Sequence, residues 1–109
     1  MRRLRTHFIG VGEAFDQALG NTSVLVEAES DSENAVRLLV DCGYSVPQNL
    51  FSRFPDPNLL DGVYFTHFHA DHAFGFPGLI GRLRGAGRTR PLSLIGQPGT
   101  KERLSAIYE

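Results

Sequence analysis

Apolar residues recur along the chain in short bursts separated by polar and glycine-rich breaks, and the period of each burst predicts its element. Residues 6–11 read as a strand, with Phe8, Ile9 and Val11 supplying apolar bulk and Gly10 and Gly12 permitting a tight exit. Residues 13–20 show no regular period and read as an irregular loop ending at Gly20-Asn21. Residues 22–28 form a second strand with Val24 and Val26 on one face. Residues 27–33 are acidic and rich in serine, which predicts an exposed hairpin loop. A third strand covers 36–42, with Leu38, Leu39 and Val40 as a continuous buried run.

The second half changes rhythm. Residues 47–54 predict a short helix with Pro47 at its first position, and Phe54-Pro55-Asp56-Pro57 is a rigid break. Residues 63–66 read as a short buried strand after an Asp61-Gly62 turn. Pro77 opens a helix to about Arg84, with Leu79, Ile80 and Leu83 on one face. Residues 91–95 are another strand. A turn at 96–100 then leads into a final helix over 101–108, with Leu104, Ile107 and Tyr108 as its buried side. Strands first and strand–helix alternation afterwards make the fold class α/β.

Composition narrows the setting. At 109 residues the chain makes one small domain, and 41% hydrophobic with 21% charged residues argues against disorder. A net charge of −1 predicts no strong non-specific attraction to nucleic acid. The charges are uneven, however. Arg82, Arg84, Arg88 and Arg90 could line a phosphate backbone. A solvated helix end, with cations favoured by the helix dipole, is the simpler reading. Residues 1–5 are basic without an apolar stretch behind them, so solvated charges ahead of the first strand are expected, not a secretory signal. One cysteine excludes an internal disulfide and fits a reducing compartment. No apolar run approaches the ~18 residues of a membrane span, so a cytoplasmic protein with no membrane partner is expected.

The chemistry concentrates in Thr66-His67-Phe68-His69-Ala70-Asp71-His72. Three of the chain's four histidines are here, with an aspartate between them. Residues two apart in an extended segment point the same way, so His67 and His69 can aim at one point. Asp71 and His72 follow as the chain turns and would serve a second point nearby. Buried without a metal, these four groups would carry a large desolvation cost. Two adjacent metals are therefore expected. Imidazole with carboxylate suits zinc first, with iron or manganese as the other candidates. His7 lies far from this stretch and reads as a strand residue, not a ligand.

His67-x-His69-x-Asp71-His72 after an apolar strand resembles the metal motif of the metallo-β-lactamase superfamily. Gly75-Phe76-Pro77-Gly78-Leu79-Ile80 is similar to the segment that follows this motif in ribonuclease Z and related phosphodiesterases, with Phe76 in place of a leucine. Phe8 to Gly12 followed by Gly20-Asn21-Thr22-Ser23, then Asp41-Cys42-Gly43, and Gly96-x-Pro98-Gly99-Thr100 extend the likeness along nearly the whole chain. The resemblance implies the N-terminal part of a four-layer αββα sandwich and a metal-dependent hydrolase using two zinc ions. His67 and His69 would hold one ion, and Asp71 and His72 the other. Asp71 would also act in catalysis, orienting the attacking water or taking its proton.

In the family the aspartate of Asp-Cys-Gly braces the histidine loop. That is physically sound, because a ligating histidine usually donates its other ring N–H to a carboxylate or carbonyl. Asp41 is the candidate for this role, against the plainer reading of a turn aspartate. Cys42 beside it reads as a small buried hydrophobe.

The substrate class implied is RNA or another phosphodiester, as in endonucleolytic processing of transfer-RNA 3′ ends. Hydrolysis of a small ester, thioester or lactam is the alternative chemistry, and a non-catalytic binding domain the alternative class. Family members carry a further histidine, a bridging aspartate and a last histidine downstream, whereas this chain has no histidine or aspartate after His72. Residues 1–109 are therefore expected to be the N-terminal part of a single domain, incomplete at its C-terminus and not active alone. One sheet face would be left apolar and open. It would bury itself in a homodimer or against the missing C-terminal half.

Overall fold

The computed structural model describes residues 3–12, 18–29 and 34–108. Its order is β1 (Arg3–Gly10), β2 (Ser23–Glu29), β3 (Ala35–Val40), α1 (Val46–Arg53), β4 (Gly62–Tyr64), α2 (Ala70–Ala73), α3 (Phe76–Gly85), β5 (Ser93–Ile95) and α4 (Thr100–Tyr108). The five strands form one sheet in sequence order. β1, β2 and β3 pair antiparallel, and β3, β4 and β5 pair parallel. The change of sense follows the connections. The parallel pairs are joined through helices, as a crossover requires.

The register sorts the strands into two unlike faces. His7, Leu25, Leu39, Val63 and Leu94 share one row. This face is covered by α1 and α3, and Leu25, Leu39, Val63, Phe65, Val46, Leu50 and Leu79 form its sealed core. The other face carries Phe8, Val24, Val40, Tyr64 and Ile95 in one row and Leu4, Ala28 and Val36 in another. No described element covers it, and Leu4, Phe8 and Val36 are more than half exposed. This is the open apolar face that the strand pattern expected.

Several expectations need correction. β1 begins at Arg3, so Arg3 and Arg5 lie within the sheet and not ahead of it; Arg5 sits opposite Glu27 and Arg3 opposite Glu29. The acidic stretch 27–33 is not wholly a loop. Glu27 to Glu29 belong to β2, and Glu27 is buried. It takes hydrogen bonds from Arg37 Nε at 2.6 Å and from the His7 ring at 2.5 Å, so cross-strand partners draw it into the sheet. Residues 30–33, and 13–17 of the first loop, lie outside the described residues. Of the run Leu38-Leu39-Val40 only Leu39 is sealed, because its neighbours point to the open face. The helices fall where expected to within about a residue at each end, and α2 was not foreseen. Leu104 is buried and Ile107 packs on the core, whereas the side chain of Tyr108 lies outside the described residues. His7 is a strand residue, as expected.

Candidate metal centre

The site is assembled at the C-terminal ends of β3 and β4, where an α/β sheet opens a crevice. β3 ends in a turn whose first residue, Asp41, adopts the left-handed conformation with φ of 64°. A non-glycine residue there costs roughly 1–2 kcal/mol, and aspartate is among the residues that tolerate it. The conformation is held from several sides. Buried Ser23 Oγ lies 2.8 Å from the Asp41 carbonyl, and Asp41 N donates to Tyr64 O at 2.8 Å. Cys42 N donates to His72 O at 2.7 Å, and Gly75 N donates back to Cys42 O at 2.8 Å. The Asp41-Cys42-Gly43 turn is thus tied backbone to backbone to α2 and to the start of α3. Glycine is required at the crossing: a Cβ on Gly43 would lie 2.6 Å from both the carbonyl carbon of Asp71 and Asn21 Oδ1. Asn21 is itself fixed on the start of α1, its N donating to Ser45 Oγ at 2.8 Å. The Gly20-Asn21-Thr22-Ser23 segment therefore supports the site from behind.

The Asp41 carboxylate, 4% exposed as a residue, collects three donors. Thr66 N donates to Oδ1 at 2.7 Å, Thr66 Oγ1 to Oδ2 at 2.6 Å, and His72 Nδ1 to Oδ2 at 2.8 Å. His72 Nε2 then faces outward and meets Asp71 Oδ2 at 3.2 Å. The His67 ring lies 4.0 Å from that of His72 and 4.7 Å from that of His69, centroid to centroid. All four motif side chains and Asp41 are thus brought to one place. Asp41, His67 and His72 each offer an atom within 4.8 Å of the others, a grouping able to hold a metal ion. The Asp41 oxygens are already engaged by three donors, which suits a brace better than a ligand.

The donor set passes a simple test of fit. With Nδ1 donating to Asp41, the Nε2 lone pair of His72 faces a carboxylate oxygen. Two electron pairs opposed at 3.2 Å require a cation or a shared proton between them. Ligands bound tetrahedrally at about 2.0–2.1 Å stand about 3.3 Å apart, close to this separation.

Thr66, which the motif spacing did not single out as a functional residue, joins the site through its hydroxyl, 2.9 Å from His67 Nδ1. Two of the four clustered arginines, Arg88 and Arg90, are engaged within the chain. Arg88 donates to the carbonyls of Pro57, Leu60, Arg90 and Pro91, and Arg90 to Asn58 O and the Asp61 carboxylate. These two side chains tie together the loops around β4.

A family model described as Anti-Pycsar protein Apyc1 matches residues 4–105. The chain belongs to that family. Ribonuclease Z of Methanosarcina mazei is 36% identical over 100 residues, which is 91% of this chain and 31% of that protein. Anti-Pycsar protein Apyc1 of Bacillus phage 010DV004 is 45% identical over 67 residues, 62% of this chain and 24% of that protein. Among solved structures, the short form of human tRNase Z superposes with a TM-score of 0.74 at 23% identity, covering 97% of this chain and 39% of that one. The metallo-β-lactamase fold protein YhfI from Bacillus subtilis gives a TM-score of 0.70 at 26% identity, covering 94% and 40%. The mixed sheet and its helices match the N-terminal part of this fold, as the motif had implied. The chain spans about a third of the length of the curated relatives it matches. No helix among the described residues is long and apolar enough to cross a membrane.

Proposed function

We propose that the whole protein is a metal-dependent hydrolase of ribonuclease Z type that cleaves a phosphodiester, with RNA as the leading substrate class and zinc, two ions, as the leading cofactor. Residues 1–109 form the N-terminal part of its single domain, working in the cytoplasm. The observation that carries this reading is the convergence of His72 Nε2 and Asp71 Oδ2 at 3.2 Å beside the His67 and His69 rings, with His72 held from behind by the buried Asp41 carboxylate. The names of the relatives, ribonuclease Z among them, support the substrate class.

His67 and His69 would hold one ion, and Asp71 and His72 the other. When bound, the metal pair supplies Lewis acidity toward a phosphoryl oxygen and lowers the pKa of water toward ~7. The chain's own residues do the rest. Asp41 holds His72 with Nε2 outward and anchors the backbone at Thr66. Asp71 is the only carboxylate in the motif, and its proposed role is to orient the attacking water or take its proton. The open sheet face, which includes Phe8 and Val36, packs against the rest of the domain or a second copy of the chain.

Turnover of bis-p-nitrophenyl phosphate by the full-length protein tests the reading. Asp71→Ala should abolish turnover while leaving the thermal melt nearly unchanged, since Asp71 is a partly exposed residue on a four-residue helix. Near wild-type turnover in that variant would refute its role.

A further inference from the structure

We propose that Thr66 is a positioning residue whose hydroxyl relays the Asp41 carboxylate to His67 and so fixes which ring nitrogen of His67 faces outward. The proton count on three atoms carries this. An ionised carboxylate only accepts hydrogen bonds, and a threonine hydroxyl has one proton to give. Thr66 Oγ1 lies 2.6 Å from Asp41 Oδ2 and 2.9 Å from His67 Nδ1. If the hydroxyl proton pointed to His67, two lone-pair oxygens would face each other at 2.6 Å. The proton therefore goes to Asp41, and Thr66 presents only lone pairs to His67. Nδ1 of His67 must carry its own proton and donate it, leaving the Nε2 lone pair free.

The Nδ1–H of His72 is fixed directly, donating to the same Oδ2 at 2.8 Å. One buried carboxylate thus sets both tautomers, His72 by contact and His67 through a single hydroxyl. Free imidazole side chains in water favour the proton on Nε2, so a proton held on Nδ1 of both rings departs from the common form. The consequence for metal affinity rests on the metal reading above; the tautomers themselves do not.

Long-range nitrogen–proton correlation spectra of metal-free, histidine-labelled full-length protein at pH 8 test the relay. His67 and His72 should both show a protonated Nδ1. In Thr66→Val, His67 should lose that signature while His72 keeps it, and zinc affinity should fall about 10–100-fold. Thr66→Ser should restore both. A wild-type His67 protonated on Nε2 would overturn the proposal, as would a Thr66→Val variant with an unchanged His67 signal. Should Thr66→Val fail to fold, the wild-type and Thr66→Ser spectra decide alone. A wild-type protein with these tautomers that binds no zinc would uphold the relay and contradict the metal site.

Discussion

Replacing Gly43 by alanine tests the crossing that holds the site together. A Cβ there would lie 2.6 Å from the Asp71 carbonyl carbon and 2.6 Å from Asn21 Oδ1, where ordinary contacts begin at 3.4 Å. The Asp71 carbonyl oxygen would lie closer still, so the Asp41-Cys42-Gly43 turn and α2 would have to part by more than about 1 Å, an overpacking that costs about 1–3 kcal/mol. The two hydrogen bonds tying the turn to α2 and to the start of α3, Cys42 N to His72 O and Gly75 N to Cys42 O, would weaken together. Each is worth about 0.5–1.5 kcal/mol net, so the total loss is about 2–6 kcal/mol. That is a large share of the roughly 5–15 kcal/mol that holds a domain together. Backbone freedom is not the cause, since Gly43 is not among the glycines with positive φ. Gly81→Ala in α3 is the control. No atom lies within 4 Å of its added Cβ, and it should stabilise by about 0.5–1 kcal/mol. Urea unfolding of both full-length variants measures the difference. A Gly43→Ala variant within about 0.5 kcal/mol of wild type would refute the close-approach argument.

Two further outcomes follow from buried groups. Burial pushes the Cys42 thiol up to about 12, with the Asp41 charge adding to it. Native protein should therefore resist a thiol reagent at pH 8 and react on unfolding. Stability should also fall as pH rises past the free thiol value of 9.0, because the unfolded chain loses its proton first. Rapid labelling of folded protein would contradict this. Burial pushes the Glu27 carboxyl up, but hydrogen bonds and charges from Arg37 and His7 outweigh it and hold the carboxyl below the usual range. Its stabilisation is therefore present above the unfolded value of 4.5 and lost as pH falls through the lower folded value. Arg37→Ala should cost about 1–2 kcal/mol at pH 7 and flatten that acid loss, as read from unfolding at a series of pH values. An unchanged acid profile would remove Arg37 from this role.

The sequence shows the site more clearly than its supports. His67, His69, Asp71 and His72 stand close enough for spacing alone to bring them together. Asp41 was legible only through resemblance, because 25 or more residues separate it from the groups it binds. Thr66 went unread because its role depends on where one hydroxyl proton points. Glu27 misled because acidic composition signals a loop, whereas Arg37 and His7 wait on the neighbouring strands. Leu38 and Val40 misled because a run of three apolar residues hides the two-residue period of a strand with one open face. α2 spans four residues, too few to show a helical period.

Every catalytic role proposed above depends on metal held by the His67-to-His72 stretch. Elemental analysis of the purified full-length protein, beside its His67→Ala, His69→Ala double variant, measures that metal. The wild type should carry zinc at up to about two ions per chain and the variant clearly less, with folding intact by thermal melt. Metal content unchanged by the double substitution would contradict the assignment to this stretch.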